Sequence, residues 1–203
     1  MIDAKMVADL RARTGAGIVD CKKALEEANG NMDQAIEVLR KKGAAKAAKK
    51  SAERMTAEGL VEAYVHSNGR VAALVELQCE TDFVARNPEF KELAHDIAMQ
   101  IVAMSPEYVS PEQIPTEIIE KEKALFTEEL AEDKKPDDIK AKIIEGKLSK
   151  WYQDICLMNQ PFVKDDSRTV AQIVDEKIAT IGEKIVVASF KRLELSAEGK
   201  ACE

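Results

Sequence analysis

Histidine occurs twice and cysteine four times in 203 residues, and aromatic residues make up 4% of the chain. Each scarcity excludes something. His66 and His95 have no carboxylate or cysteine at metal-ligand spacing. No Ser-His-Asp or Cys-His set can be argued from chain order, so an enzyme reading has little support and no catalytic, cofactor or metal residue is expected. Cys21, Cys79, Cys156 and Cys202 form no CxxC pair and are expected to be free thiols in a reducing compartment. No apolar run approaches the ~20 residues of a membrane span. The opening MIDAKMVADLRART is charged throughout and has no signal-peptide core, so a cytoplasmic protein without membrane contact is expected. A basic excess is also lacking: 30 Lys and Arg stand against 37 Asp and Glu, a formal net charge of −7. That balance argues against a surface that coats nucleic acid, which needs concentrated cations.

What is present reads as a soluble globular chain, 45% hydrophobic and 33% charged, with room for one medium domain or a small and a larger one. With few aromatics, its core must be built from Ala, Ile, Leu and Val. Residues 1–43 read as three short helices. Met6, Val7 and Leu10 share a face of the first, and Ile18, Cys21, Leu25 and Ala28 form the stripe of the second. Gly30 can end that second helix in the left-handed region. Asn31 caps the third, with Gln34 in the capping-box position, and Met32, Ala35, Ile36 and Leu39 give its buried face. Such a unit has a thin core and is marginal alone. The run RKKGAAKAAKK follows, basic and without large apolar residues. It reads as a solvated helical linker within 44–58, Gly43 being a candidate break. An RNA-binding arm is the alternative, although no aromatics are interleaved for base stacking.

The period then changes. GLVEAYVH and RVAALVELQCE flank Asn68-Gly69, the signal for a type I′ hairpin turn. That turn pairs Tyr64 with Ala73, Glu62 with Val75 and Leu60 with Leu77. It lays Leu60, Tyr64, Val71, Val75 and Leu77 on one face. Two strands are unstable alone, and the β-branched KIVVASFKRLEL near the end is the candidate third strand. Asn87 caps a helix that opens at Pro88, with Phe90, Leu93, Ala94, Ile97 and Ile101 as its stripe. A helical hairpin follows, its arms near Glu117–Leu130 and Ile139–Met158. The last helix lies near Thr169–Ile181. The expected divisions are 1–43 (three helices), 44–58 (linker), 59–104 (hairpin and helix), 105–160 (helical hairpin) and 161–203 (closing helix, strand and tail).

Two places do not fit a plain packing account. Thr14-Gly15-Ala16-Gly17 is no dinucleotide fingerprint, because position 20 is Asp20 and a helix precedes it. It reads as a tight turn between helices. Val19, just beyond, points away from the buried stripe. It is either a docking contact or one of the single exposed apolar residues common on any surface. Thr81-Asp82-Phe83-Val84-Ala85-Arg86-Asn87 joins a strand to a helix. Phe83 there either folds back as a core lid or protrudes as a wedge on a rigid support.

LRARTGAGIVDCKKALEEANGNMDQAIEVLRKKG, TDFVARN, GKLSKWYQDICLMNQPFV and SFKRLEL, in that order and over most of the chain, resemble the elongation factor Ts family. The resemblance implies an α+β fold: an N-terminal three-helix domain like a ubiquitin-associated domain, a core with a small antiparallel three-stranded sheet packed by helices, and a protruding coiled-coil-like helical hairpin. The chain passes from the helix ending near Met104 directly to the helical hairpin, where longer members carry a second core half. It therefore resembles the short form, for which a homodimer is expected. The resemblance further implies a guanine-nucleotide exchange factor that binds elongation factor Tu, GDP-bound or nucleotide-free. Thr81, Asp82, Phe83 and Val84 would disturb the partner's magnesium site. Gly15, Ala16, Gly17, Ile18 and Val19, with Arg86 and Asn87, would dock. Two other classes compete: a non-catalytic binding module without exchange activity, and an RNA-associated protein using the Arg40–Lys50 run. Neither accounts for TDFVARN.

Overall fold

A computed structural model describes residues 2–53, 55–131 and 135–195, with side chains omitted for 44–53. Cys202 and part of the connection between the arms of the helical hairpin lie outside the described residues. The fold is α+β. Helices α1 (Ala4–Thr14), α2 (Ile18–Glu27) and α3 (Met32–Glu53) come first, followed by strands β1 (Glu58–Val65) and β2 (Val71–Cys79). A one-turn helix α4 (Asp82–Ala85) and the long α5 (Pro88–Met104) lead to the helical pair α6 (Thr116–Glu129) and α7 (Asp137–Ile155). A small hairpin β3 (Pro161–Phe162) and β4 (Asp165–Thr169), helix α8 (Val170–Ile181) and strand β5 (Val186–Glu194) complete the order. The main sheet has the order β1-β2-β5, so the closing strand pairs with β2. No described helix is long and apolar enough to cross a membrane.

The elements start and stop where side-chain chemistry dictates. Asp3 Oδ1 accepts from Met6 N at 2.8 Å and opens α1. Asn31 Oδ1 accepts from Asp33 N and Gln34 N, both at 3.1 Å, and opens α3. Between them Asn29 and Gly30 take φ of 50° and 83°, and Gly30 N bonds back to Leu25 O at 2.8 Å. That is the left-handed finish expected of glycine. Leu10, Cys21, Ala24, Leu25, Ala28 and Ala35 form the buried cluster of the three helices. Ile18 is not among them: at the first turn of α2 it is 57% exposed, so the expected stripe begins only at Cys21. Helix α3 runs on through Gly43 to Glu53. Glycine lowers helix propensity by about 1 kcal/mol, which does not break a helix with good helix formers on both sides, Leu39, Arg40, Lys41 and Lys42 before it and alanines after it.

The hairpin keeps the expected register with a different turn. His66 N bonds to Val71 O at 2.9 Å, and Gly69 N to His66 O at 2.8 Å. Gly69 has φ 65° while Asn68 is not in the left-handed region. The loop is therefore a turn through Ser67-Asn68 closed by a left-handed glycine, not type I′. Asn68 Oδ1 accepts from Arg70 N at 2.9 Å, which favours this geometry. Alternate residues of β2, Ala73, Val75, Leu77 and Cys79, are buried.

The chain divides into two compact units: Met1–Val61, Glu76–Ala94 and Gln172–Val187 in one, and Glu62–Val75, His95–Ala171 and Ala188–Glu203 in the other. In the second, α6 and α7 bury no residue fully, as in a two-helix seam open on both sides. Gln100 and Gln160 are buried there. Gln100 Nε2 donates to Gln160 Oε1 (3.2 Å) and Pro161 O (3.1 Å), and Gln100 Oε1 accepts from Val163 N at 2.7 Å. These bonds fix the short β3–β4 hairpin, which the sequence reading missed. His95 Nδ1 lies 3.2 Å from Glu62 Oε1 and its ring meets Tyr64 edge-on.

Candidate functional site

Both places singled out in the sequence belong to the first unit. At the first, α1 ends on Gly15, with φ 65° and its N–H bonded to Arg11 O at 2.8 Å. Thr14 Oγ1 donates to Leu10 O at 2.8 Å. Gly17 is the N-cap of α2. Ala16 packs at the rim of the helical cluster. The turn leaves Ile18 and Val19 side by side and open to solvent, Val19 64% exposed. The apolar oddity is therefore a pair. Gly15 has a neighbour of its own: a Cβ there would stand 3.2 Å from Thr180 Cγ2 of α8. The same face of α8 offers Glu176 to Arg40 at 3.5 Å and Ala179 to Gly43.

At the second, β2 ends at the buried Cys79, whose thiol donates to Thr81 O at 3.2 Å. Burial, and next the charge of Glu183, push that thiol up to about 11, so it stays a protonated donor. Thr81 is extended (φ −129°, ψ 154°) and stands at the N-cap of α4. Its hydroxyl makes no cap bond and donates instead to Glu183 Oε1 at 2.7 Å. Glu183 Oε2 accepts from Thr81 N at 3.1 Å and Glu80 N at 3.2 Å. Glu80 Oε1 in turn accepts from Lys184 N at 2.6 Å. Two carboxylates thus tie each other's backbones together.

Beyond the clamp, α4 is closed by Ala85 N to Thr81 O (3.2 Å) and Arg86 N to Asp82 O (3.2 Å). Asn87 N bonds to Val84 O at 2.9 Å, and Asn87 Oδ1 accepts from Glu89 N at 2.9 Å. That is the expected cap of α5, whose Phe90 is fully buried. Asp82 and Arg86 pair at 3.0 Å with both side chains open to solvent. Phe83 is 81% exposed. The lid alternative is overturned: Phe90, seven residues on, fills the core and Phe83 projects from the only turn between β2 and α5. Val84 is half-buried.

Among the described residues no group of three or more His, Cys, Asp and Glu is placed to hold a metal ion. What the arrangement offers is two exposed apolar features: Ile18 and Val19, which follow the Gly15 turn set against Thr180 of α8, and Phe83, two residues after the Thr81 that Glu183 holds. Sequence reading found the apolar residues and missed Glu183, which lies about a hundred residues from its partners. The one available signal was the acidic residue directly after Gly182 at the end of a helix.

The family model described as Elongation factor TS matches residues 5–197. Elongation factor Ts of Carboxydothermus hydrogenoformans is 53% identical over 201 residues, 99% of this chain and 92% of its own length. That of Fervidobacterium nodosum is 54% identical over 194 residues, covering 96% and 98%, and that of Thermosipho melanesiensis 55% over 190 residues, covering 94% and 96%. With a model matched over nearly all of its length and relatives at this identity, the chain belongs to the elongation factor Ts family.

Proposed function

We propose that this elongation factor is a guanine-nucleotide exchange factor for elongation factor Tu, and that it works in the cytoplasm by displacement, with no bond-making chemistry and no cofactor of its own. The observation that carries the reading is Phe83: a large apolar ring, 81% exposed, on a backbone held at both ends. A large apolar ring presented on a clamped turn is a surface available for burial by a partner. The Thr81–Val84 turn presses into the GTPase domain of the partner, where Phe83 acts as wedge and Asp82 acts by charge near the region that holds magnesium. The Asp82–Arg86 pair is solvent-exposed and costs little to open. Loss of magnesium leaves the diphosphate charge less neutralised, so GDP leaves faster. Gly15, Ala16, Gly17, Ile18 and Val19, with Arg86 and Asn87, form the docking surface on the same domain.

Linkage fixes the direction of traffic. If the chain weakens GDP binding by some factor, GDP weakens the chain's binding by the same factor. Incoming GTP can then release the chain, which emerges unchanged. The homodimer belongs to the same proposal. Val65, Leu74 and Leu193 are exposed on the three strands of the sheet, an apolar set suited to a second copy.

The test is that reciprocity. The affinity of the chain for nucleotide-free elongation factor Tu is measured by titration calorimetry with and without saturating GDP, and GDP affinity with and without saturating chain. The two ratios should agree and exceed about tenfold. A complex whose formation leaves GDP affinity unchanged makes the chain a binding module and sinks the exchange reading.

A further inference from the structure

Helix α4 has four residues, too few to hold its own direction, because one turn fixes several dihedrals for very few bonds. Where Phe83 points is therefore imposed from the two ends of the turn. The far end is an ordinary cap, Asn87 on α5. The near end is not. A threonine at an N-cap normally turns its hydroxyl onto its own helix, whereas Thr81 gives its hydroxyl to Glu183 Oε1 at 2.7 Å. The Thr81 and Glu80 amides converge on Glu183 Oε2. Three donors on one carboxylate, with Lys184 N returning a bond to Glu80 at 2.6 Å, fix the position of residues 80 and 81. Hydrogen bonds to an ionised acceptor are about twice as strong as neutral ones.

Glu183 also stands at a particular place. It follows Gly182, whose φ of 93° turns the chain out of α8. It lies three residues beyond Thr180, the residue against the Gly15 turn. One short stretch of chain thus supports both the Ile18–Val19 turn and the Phe83 turn.

We infer that Glu183 is a positioning residue for nucleotide exchange: its carboxylate holds Thr81 so that Phe83 meets the GTPase in register with Ile18 and Val19. The inference rests on the exchange reading above. It separates two quantities that a purely structural role would move together. Docking through Ile18 and Val19 sets how much chain is needed, and the placement of Phe83 sets how fast GDP leaves once docked.

The experiment is stopped-flow release of fluorescent GDP from elongation factor Tu over a concentration series of wild type, Glu183→Gln, Thr81→Val, Thr81→Ser and the Glu183→Gln/Thr81→Val double variant. Hydrogen exchange at the Glu80 and Thr81 amides is followed in parallel. Glutamine keeps the length but loses the charge and one acceptor oxygen; valine keeps the shape of threonine and loses the hydroxyl. The expected result is a maximal release rate lowered about tenfold in Glu183→Gln and Thr81→Val, with the half-saturating concentration moved by less than about twofold. Thr81→Ser, which restores the hydroxyl donor, should recover most of the maximal rate lost in Thr81→Val, and the double variant should be no slower than Glu183→Gln, as for members of one bonded unit. The two amides should exchange faster in Glu183→Gln. If that variant unfolds, the contrast between Thr81→Val and Thr81→Ser decides alone. An unchanged maximal rate despite faster amide exchange overturns the positioning role, as do losses confined to the half-saturating concentration or losses that multiply in the double variant. A wild type that does not accelerate release removes the exchange reading, and the positioning role with it, whatever the amides do.

Discussion

Replacing Phe83 by alanine removes a ring that the free chain does not use. About four-fifths of the side chain is open to solvent, so it contributes almost nothing to folding, and the change in stability should stay within about 0.5 kcal/mol. For a chain of this length that is a shift in thermal midpoint of roughly 2 °C or less. The same exposed surface, roughly 150 Å², becomes available on docking. At about 25 cal/mol per Å² its full burial is worth roughly 4 kcal/mol. Ordering and imperfect fit reduce what appears as binding, leaving about 1.5–3 kcal/mol, or roughly 10- to 100-fold. GDP release from elongation factor Tu, followed by fluorescence at a fixed low concentration of chain, should slow by that factor, while circular dichroism reports an unchanged melt. A melt lowered by more than about 8 °C would mean that the ring is part of the core after all. Unchanged release with an unchanged melt would mean that the wedge is elsewhere.

Val19→Asp should separate docking from folding even more sharply. Val19 is exposed in the first turn of α2, where a negative side chain favours the helix dipole. The melt should hold or rise slightly while the half-saturating concentration for exchange increases about tenfold or more, and equal binding removes Val19 from the interface. Gln100→Ala strands the Val163 N–H and the Pro161 carbonyl and opens a buried space. Urea denaturation should show a loss of about 2–4 kcal/mol, and a loss under about 1 kcal/mol would refute the importance of that network. Burial holds the Asp175 carboxyl above its usual range. Its folded pKa exceeds its unfolded one, so stability present at low pH is lost as pH rises through the folded value. Asp175→Asn should therefore raise the melt at pH 7 and do much less near pH 3; a gain that is the same at both disproves the desolvation argument.

How far the sequence revealed this arrangement follows from the range of the interactions. The caps at Asn31 and Asn87, the left-handed Gly30, the hairpin register and the third strand all come from neighbouring residues or from strict alternation, and they read directly. Ile18 was placed on a buried stripe because helical spacing says nothing about where the partner helix ends. Gly43 was read as a candidate break, yet the helix continues through it because strong helix formers flank it, leucine, arginine and lysines before and alanines after. The β3–β4 hairpin has a strand of only two residues and no alternation to detect; buried glutamines at positions 100 and 160 hold it from a distance. At the candidate site the exposed apolar residues were visible as misfits, and TDFVARN carried the family resemblance. The clamp was not visible, since nothing local links Glu80 and Thr81 to Glu183. A hydroxyl that abandons its own helix cap is a tertiary fact.

The most direct measurement is release of fluorescent GDP from elongation factor Tu in magnesium buffer, with this chain present at far below one equivalent. The account predicts complete release at an accelerated rate, each molecule of chain serving many of the GTPase. Acceleration that stops at one GDP per chain, or none at all with a binding-competent partner, would contradict it.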